Sequence, residues 1–565
     1  MLLQQLQTHA VETPNKPFLV LWQQDSYRVL SFSQFHEMSM SLAHFLTERL
    51  GDAKGKVVFI VLQKFPLLHP MMIATMYAGA VPSYLPFLTP KQDPDIYYSQ
   101  HKALFERTLP AAIITYSALA PHIAAIAPAG TVVVNIDEYT HQGYFDGSNI
   151  KSDGDDIALL QHSSGTTGLK KGVMLSYGEI ERQAISYSQA IGLTRDTCVA
   201  SWLPLYHDMG LFTSFLIPLS LGASVVAMDP FEWVRDPSLL LRVMECFNCS
   251  HTWLPNFAFN HIVNATSEDA RFDLSRMRSF ISCSEPTKAN TLRSFAGRFA
   301  ADGAPESKLH VCYAMAEASF AVTQTVRGDA FKSSLFDKDA IQRGVVRPIA
   351  MDDNAVPSIE IVSNGPPIPG IEVGVLSSQG DVIASPTFLE VGEIVIRGEF
   401  VFSGYYKNPD ATAAAHVDGW YRTGDLGFRI DEEVYICGRT KDLVIVHGRN
   451  YYFHDIEEIV SLIPPVAPGR VVAIGVPDES TGSEEVLILA ETRDEHSEYS
   501  GKALLEAKRA IKRAVFSALE LTPKHIDFVP RGWLHKTTSG KISRADNYSR
   551  YIEQIAGNAK GGLSA

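Results

Sequence analysis

The feature that most constrains the fold is an alternation running through the first four hundred residues. Short apolar runs rich in β-branched residues, at 56–62, 111–115, 131–134 and 224–228, are separated by amphipathic stretches of helical period. Parallel strands need a crossover and a helix supplies it, so this alternation indicates βαβ units and parallel sheets packed between helices. From about residue 365 the spacing shortens. Runs at 372–376, 392–397 and 433–436 are parted by turn residues, which predicts a β-rich subdomain or barrel. After Gly438, strands at 442–446, 470–476 and 486–491 flank helices near 455–461 and 502–519, a compact α+β unit of independent size. With 565 residues the chain is long enough for several domains, or for one large and one small. The tail 557–565 is small and polar and is expected to fray.

The run His162-Ser163-Ser164-Gly165-Thr166-Thr167-Gly168-Leu169-Lys170-Lys171-Gly172 follows the apolar segment 157–160. Glycines let backbone N–H groups approach a phosphate, and hydroxyl and ammonium groups donate to its oxygens. A nucleotide-phosphate loop is the functional reading, and a flexible polar loop is the plain one. The order G-x-x-x-x-G-K-[ST] of the common NTPase loop is absent.

Charge narrows the partners. A formal charge of −14 argues against nucleic acid as the main partner. A nucleotide site in such a chain has to concentrate positive charge locally. The 6 cysteines are few for this length and suggest reduced thiols in a cytoplasmic setting. Cys246 and Cys249 form a C-x-x-C without a second pair, which reads as a buried helical pair and not a zinc site. The N-terminus has no basic start of the signal-peptide kind. The most apolar window, 57–88, is broken by Lys64, His69 and prolines, so a buried strand followed by a helix is expected there and not a membrane span.

Further polar clusters recur at wide intervals: Pro204-Leu205-Tyr206-His207-Asp208-Met209-Gly210, Ser282-Cys283-Ser284-Glu285-Pro286, Tyr313-Ala314-Met315-Ala316-Glu317, Tyr421-Arg422-Thr423-Gly424-Asp425, Gly438-Arg439-Thr440-Lys441-Asp442 and Thr537-Thr538-Ser539-Gly540-Lys541. Each is weak alone. In this order they resemble the ANL superfamily of acyl- and aryl-CoA synthetases, luciferases and peptide-synthetase adenylation domains, over about residues 10 to 550. Finer markers resemble the fatty acyl-AMP ligases within it. These are Trp253-Leu254-Pro255-Asn256-Phe257-Ala258-Phe259, then Met228-Asp229-Pro230-Phe231 with Arg235-Asp236-Pro237, and Gly448-Arg449-Asn450 with Asp455-Ile456-Glu457. Segment 326–358, charged and aperiodic, falls where those ligases carry an insertion that acyl-CoA ligases lack. On composition alone it would be a surface loop.

The resemblance implies an α/β adenylating-enzyme fold. A large N-terminal domain, 1–437, would hold two βαβ subdomains and a β-barrel-like part, with the insertion at 326–358. A hinge at 438–441 would lead to a small α+β lid domain, 442–565. It also implies ATP and Mg²⁺. Ser164, Gly165, Thr166, Thr167, Gly168 and Lys171 would hold the β- and γ-phosphates, and Glu317 the metal. Ser284, Glu285 and Pro286 would line adenine, and Tyr313, within Tyr313-Ala314-Met315-Ala316, would stack on it. Asp425 and Arg439 would hold the ribose. His207 would lie beside the acyl carboxylate, and Lys541 would bridge that carboxylate and the α-phosphate. The implied reaction joins a carboxylate to AMP with release of pyrophosphate.

Trp253, Phe257, Phe259 and Phe212 suit an alkyl tunnel, so a medium- or long-chain fatty acid is the expected substrate and the phosphopantetheine of an acyl carrier protein the expected acceptor. The alternatives are a fatty acyl-CoA synthetase, an aryl or amino acid adenylating enzyme and a non-catalytic binding module. Oligomeric state is not legible. The chain departs from the family wording at Lys170 and His535, where proline is usual, and at Cys283-Ser284-Glu285-Pro286, where glycine or alanine is usual. Lys170 is expected to face solvent.

Overall fold

The computed structural model describes residues 1–63, 65–89, 93–141, 143, 145, 153–162, 171–350, 356–446, 449–478, 483–493, 501–536 and 542–561. Two parallel sheets carry the first part of the chain. The larger has eight strands in the order Ala321–Gln324, Leu309–Ala314, Ser279–Ser282, His251–Leu254, Cys198–Ser201, Ser224–Met228, Pro17–Gln23, Ser26–Ser31. Its two outermost pairings are antiparallel and those between are parallel. The smaller orders Val81–Tyr84, Val57–Ile60, Ala112–Thr115 and Val132–Asn135, all parallel. Inner strands such as Val57–Ile60 and His251–Leu254 are buried along their whole length, as strands covered by helices on both faces must be. The helices start where the sequence provides caps. Ser176 and Glu179 form a reciprocal capping box at the head of Tyr177–Ile191, which stops at Gly192 in the left-handed region.

Window 57–88 folds as strand Val57–Ile60, helix Phe65–Tyr77 and strand Val81–Tyr84, all within the N-terminal domain. No helix among the described residues is long and apolar enough to cross a membrane.

The β-rich part is antiparallel. Val382–Ile383, Ile371–Leu376, Phe388–Gly398, Trp420–Ile430 and His416–Val417 follow one another, and Glu433–Arg439 pairs with Trp420–Ile430. The last part is a separate core. Helices Phe453–Ser461 and Gly501–Leu519 pack through Ile456, Val460, Ile511, Val515 and Leu519 on a three-stranded sheet, Val466–Asp478, Ser483–Thr492 and His525–Val529.

Segment 326–358 carries regular structure: Ser333–Asp337 is the centre strand between Pro348–Ile349 and Ser358–Val362, followed by the short helix Lys338–Gln342. Backbone pairing with 358–362 supplies an order that side-chain period does not advertise. Two expectations change elsewhere. The tail is helical through the end of Arg544–Gly561, and 562–565 lie outside the described residues. Cys246 and Cys249 are not a buried pair. Cys246 is exposed at the end of its helix, while buried Cys249 lies 3.5 Å from Cys198 Sγ across the strand edge.

Candidate active site

The C-terminal ends of the large sheet's strands and the hairpin of the β-rich part meet. Strand Leu309–Ala314 delivers Tyr313, and Trp420–Ile430 delivers Asp425. Hairpin register places Arg439 directly across from Asp425. The Tyr313 hydroxyl donates to Asp425 Oδ2 at 2.5 Å, and Arg439 Nε donates to Oδ1 at 2.9 Å. Asp425 is 4% exposed, and each oxygen of a carboxylate can accept more than one hydrogen bond. Burial, reinforced by the Asp425 charge, pushes the Tyr313 phenol well up, so it stays a donor. Tyr313 is thus fixed by its hydroxyl, a role its sequence position did not announce.

A short 3₁₀ turn, Ala316–Ala318, carries Glu317 away from the same strand. The Glu317 carboxylate accepts from the Tyr405 hydroxyl at 3.0 Å, and that oxygen lies 3.2 Å from the Tyr421 hydroxyl. The Lys171 ammonium stands over the Tyr405 ring, 4.6 Å from its centroid. Burial raises the Glu317 carboxyl above its ordinary value, and the Asp208 carboxylate adds to the shift. Glu317, Asp208 and Lys171, remote in sequence, therefore share one neighbourhood. No group of three metal-donating side chains occurs among the described residues. Mg²⁺ needs no such cage, since one or two carboxylates with phosphate oxygens and water complete its shell, and a carboxylate disfavoured as a bare anion suits it.

His207 caps the short helix Asp208–Leu211, its carbonyl accepting the Leu211 N–H at 2.8 Å. The loop before it folds back so tightly that a Cβ on Gly210 would lie 2.3 Å from the Pro204 oxygen, so only glycine fits. Gln161 Nε2 donates to the Tyr206 carbonyl at 3.0 Å and ties this loop to strand Ile157–His162. His162, whose ring nitrogen is 2.8 Å from the buried Ser83 hydroxyl, ends that strand. Its antiparallel partner Gly172–Ser176 resumes after the glycine-rich run. Ser164, Gly165, Thr166, Thr167, Gly168 and Lys170 lie outside the described residues, as does Lys541; His162 and Lys171 flank the glycine-rich run.

The turn Ser284-Glu285-Pro286 follows strand Ser279–Ser282. Ser284 sits at φ 70°, the left-handed conformation that explains why glycine suits this position. The Ser282 and Thr287 hydroxyls close the turn at 2.8 Å. The Glu285 carboxylate accepts the Phe257 N–H at 3.2 Å at the head of helix Asn256–Ala265, whose cap residue Pro255 offers no side-chain acceptor. The aromatic residues expected to form a tunnel divide. Trp253 and Phe212 lie with Tyr187 and Phe320 in one core, Trp253 Nε1 donating to Tyr187 at 2.8 Å. Phe259 packs edge-on against Phe295 in a second core, and Phe257 is 47% exposed beside Trp202 and Trp233.

Tyr313, Asp425 and Arg439 thus form one bonded cluster, and Glu317 and Lys171 meet at Tyr405. A family model described as AMP-binding enzyme matches residues 6–406. The long-chain-fatty-acid–AMP ligase FadD26 of Mycobacterium marinum is 34% identical over 417 residues, 70% of this chain and 69% of that protein. The chain belongs to the fatty acyl-AMP ligases. FadD26 of Mycobacterium bovis is 31% identical over 490 residues, 83% of this chain and 82% of that protein. A solved structure described with the fatty acyl-adenylate ligases of E. coli and L. pneumophila superposes with TM-score 0.87, 25% identity and 98% coverage of each chain. These enzymes use ATP to convert a carboxylic acid to an acyl-adenylate.

In this fatty acyl-AMP ligase Lys288 ties the C-terminal domain to the Ser284 turn and Arg544 braces that domain internally, and the sequence reading missed both. Lys288, just past the Ser284 turn, pairs with Asp455 at 3.4 Å and Glu458 at 3.0 Å. Arg544, at the head of Arg544–Gly561 and three residues after Lys541, donates to Asp442 at 3.2 Å, Glu457 at 2.8 Å and the Ala473 carbonyl at 3.1 Å. Burial lifts the Glu457 carboxyl to about 7 even beside Arg544. Thr440 anchors the other side, its N–H and hydroxyl both donating to the Gly424 carbonyl at 2.9 and 3.1 Å. The insertion reaches this region too. Phe336, Ile341 and Val346 share a core with Phe428, Tyr435, Cys437 and Tyr452, and helix Lys338–Gln342 lies against strand Arg449–Tyr452. Nothing local marks Arg544 or Lys288; the Asp455-Ile456-Glu457 wording was the one available signal.

Proposed function

We propose that the protein activates a medium- or long-chain fatty acid as its adenylate and passes the acyl group to the phosphopantetheine thiol of an acyl carrier protein, in the cytoplasm. The observation that carries this reading is the joining of Tyr313–Asp425–Arg439 to Glu317 and Lys171 in a fatty acyl-AMP ligase chain. Asp425 takes the two ribose hydroxyls, with Arg439 beside it. Ser284, Glu285 and Pro286 border the base through their backbone, the Glu285 side chain being engaged with Phe257. Lys171 and the run from Ser164 to Gly168 hold the β- and γ-phosphates. Glu317 is the residue to hold Mg²⁺, which neutralises phosphate oxygens when bound.

The fatty carboxylate approaches the α-phosphorus beside His207. Charge builds on the phosphoryl oxygens and on departing pyrophosphate, and fixed cationic donors stabilise it without reorganisation. Lys541 is the donor proposed for the α-phosphate and the attacking carboxylate. Residues 438–441 serve as hinge between domains 1–437 and 442–565, with Lys441 the pivot inside a turn closed by the Asp442 N–H on the Arg439 carbonyl at 3.0 Å.

ATP–pyrophosphate exchange across fatty, aryl and amino acids, followed by transfer to CoA or to holo carrier protein, tests the reading. Exchange is expected with fatty acids and acyl transfer with the carrier; exchange confined to polar acids would sink it. The insertion, packed on Tyr452, is proposed to restrain rotation into a CoA-using pose. Deletion of 327–357 is then expected to raise acyl-CoA formation. Because that deletion also removes the strand pairing with 358–362, Ile341→Ala offers a milder loss of the same contact. Efficient acyl-CoA synthesis by the intact enzyme would refute the restraint.

A further inference from the structure

Helix Gly501–Leu519 buries Ala507, Ile511, Val515 and Leu519 in the C-terminal domain. Its opposite face is unusual for a chain of net charge −14. Leu505 is 49% and Phe516 56% exposed. Lys502, Arg509, Lys512 and Arg513 are exposed around them. At about 100° per residue, Leu505, Arg509, Lys512, Arg513 and Phe516 fall within one arc of roughly 100°, and from Lys502 to Phe516 the face runs about 21 Å. Among the described residues none of these four cations has an ion-pair or hydrogen-bond partner, whereas neighbouring Lys508 is engaged by Asp527 at 2.8 Å. Among the described residues two carboxylates border the face. Glu520 is held by Arg449 at 2.8 Å, and Glu506 lies at its margin. Unpaired cations around two exposed apolar side chains form an interface pattern, with apolar anchors for contact and a charged rim for steering.

We infer that the outer face of helix Gly501–Leu519 docks an acidic helical surface of the acyl carrier protein, so that Arg509, Lys512 and Arg513 meet its carboxylates and Leu505 and Phe516 its apolar side chains. This rests on the carrier-protein reading of the acceptor. Charge complementarity selects the occupant. A net charge of −14 disfavours an acidic partner overall, and these unpaired cations admit one here. An anionic membrane is the less suited occupant, since the face offers only two large apolar groups for insertion and its helix is already seated on the domain sheet.

The test uses the full-length enzyme and a panel of phosphopantetheinylated acyl carrier proteins, with pantetheine alone as the small acceptor. The triple reversal Arg509→Glu, Lys512→Glu, Arg513→Glu is expected to raise KM for the carrier at least about tenfold, with kcat held within about twofold. ATP–pyrophosphate exchange and transfer to pantetheine stay unchanged, which shows that the fold and the chemistry are intact. Leu505→Ala with Phe516→Ala raises the same KM without changing its salt dependence. An unaltered carrier KM in the reversal overturns the docking surface and leaves the carrier reading standing. Wild-type enzyme that makes adenylate but acylates no carrier in the panel overturns that reading, and the surface with it. Loss of phosphatidylglycerol vesicle binding in the reversal, with carrier KM unchanged, assigns the face to lipid and also overturns it.

Discussion

Replacing Asp425 by asparagine separates nucleotide binding from acyl binding. The carboxylate accepts from Tyr313 at 2.5 Å and from Arg439 at 2.9 Å while buried. Asparagine has one acceptor oxygen, so its amide nitrogen must face one of these donors or an incoming ribose hydroxyl. A hydrogen bond to a charged group contributes about 1.5–3 kcal/mol, so loss of one or two toward ribose should weaken ATP binding by about 2–4 kcal/mol, roughly 30- to 1,000-fold. Binding of dodecanoate should change less than about twofold. Tyr313→Phe removes the bond that orients the carboxylate and leaves the charge in place, so its loss of ATP affinity should be smaller, near 1 kcal/mol. Because the two side chains touch, the double mutant should fall short of the sum by at least about 0.5 kcal/mol. Calorimetry with ATP and with dodecanoate on all four proteins supplies the cycle. Additive losses, or equal losses for both ligands, would refute the shared ribose grip.

Ser284 occupies a left-handed conformation that is unfavourable by about 1 kcal/mol for a residue with a Cβ. Ser284→Gly should therefore be neutral or stabilising by up to about 1 kcal/mol in urea denaturation, while Ser284→Val should lose at least about 2 kcal/mol; equal tolerance of the two would contradict the backbone geometry. Glu457 is half-buried, and its desolvation raises the carboxyl from 4.5 to about 7. The folded state favours the protonated acid, so this contribution is full below about pH 4.5 and is lost as pH rises through 7, on the order of 3 kcal/mol at most. Wild type should lose stability relative to Glu457→Gln between pH 5 and 8, and a constant difference across that range would show that the carboxyl titrates normally.

The legible parts of this protein are those written in local pattern. Parallel strands such as Val57–Ile60 and Ser224–Met228 reveal themselves because burial on both faces demands continuous apolar runs. Asp425 and Arg439 were found by wording, yet their contact depends on hairpin register between positions fourteen apart. Partnerships across the fold were not legible. Phe259 and Phe257 lie two apart in one motif, but helical period sends one into the core against Phe295 and leaves the other at the surface. Arg544 and Lys288 carry no motif of their own, because their partners arrive from elements the chain reaches only after folding.

The passage between the domains has a mechanical consequence. Thr440 is fastened to Gly424 on one side, and Asp442 is fastened to Arg544 on the other. With Lys441 as the proposed pivot, the joint between the two anchors is only two Cα–Cα steps of about 3.8 Å each. If the proposed hinge acts there, such a joint allows swing and little slide, and every pose of the small domain shares one fixed point. Arg439 and its grip on Asp425 lie beside that point. On the proposed reading the ribose end of the site keeps its address through the cycle, while the phosphate and acyl end is re-dressed by whichever face of the small domain swings in.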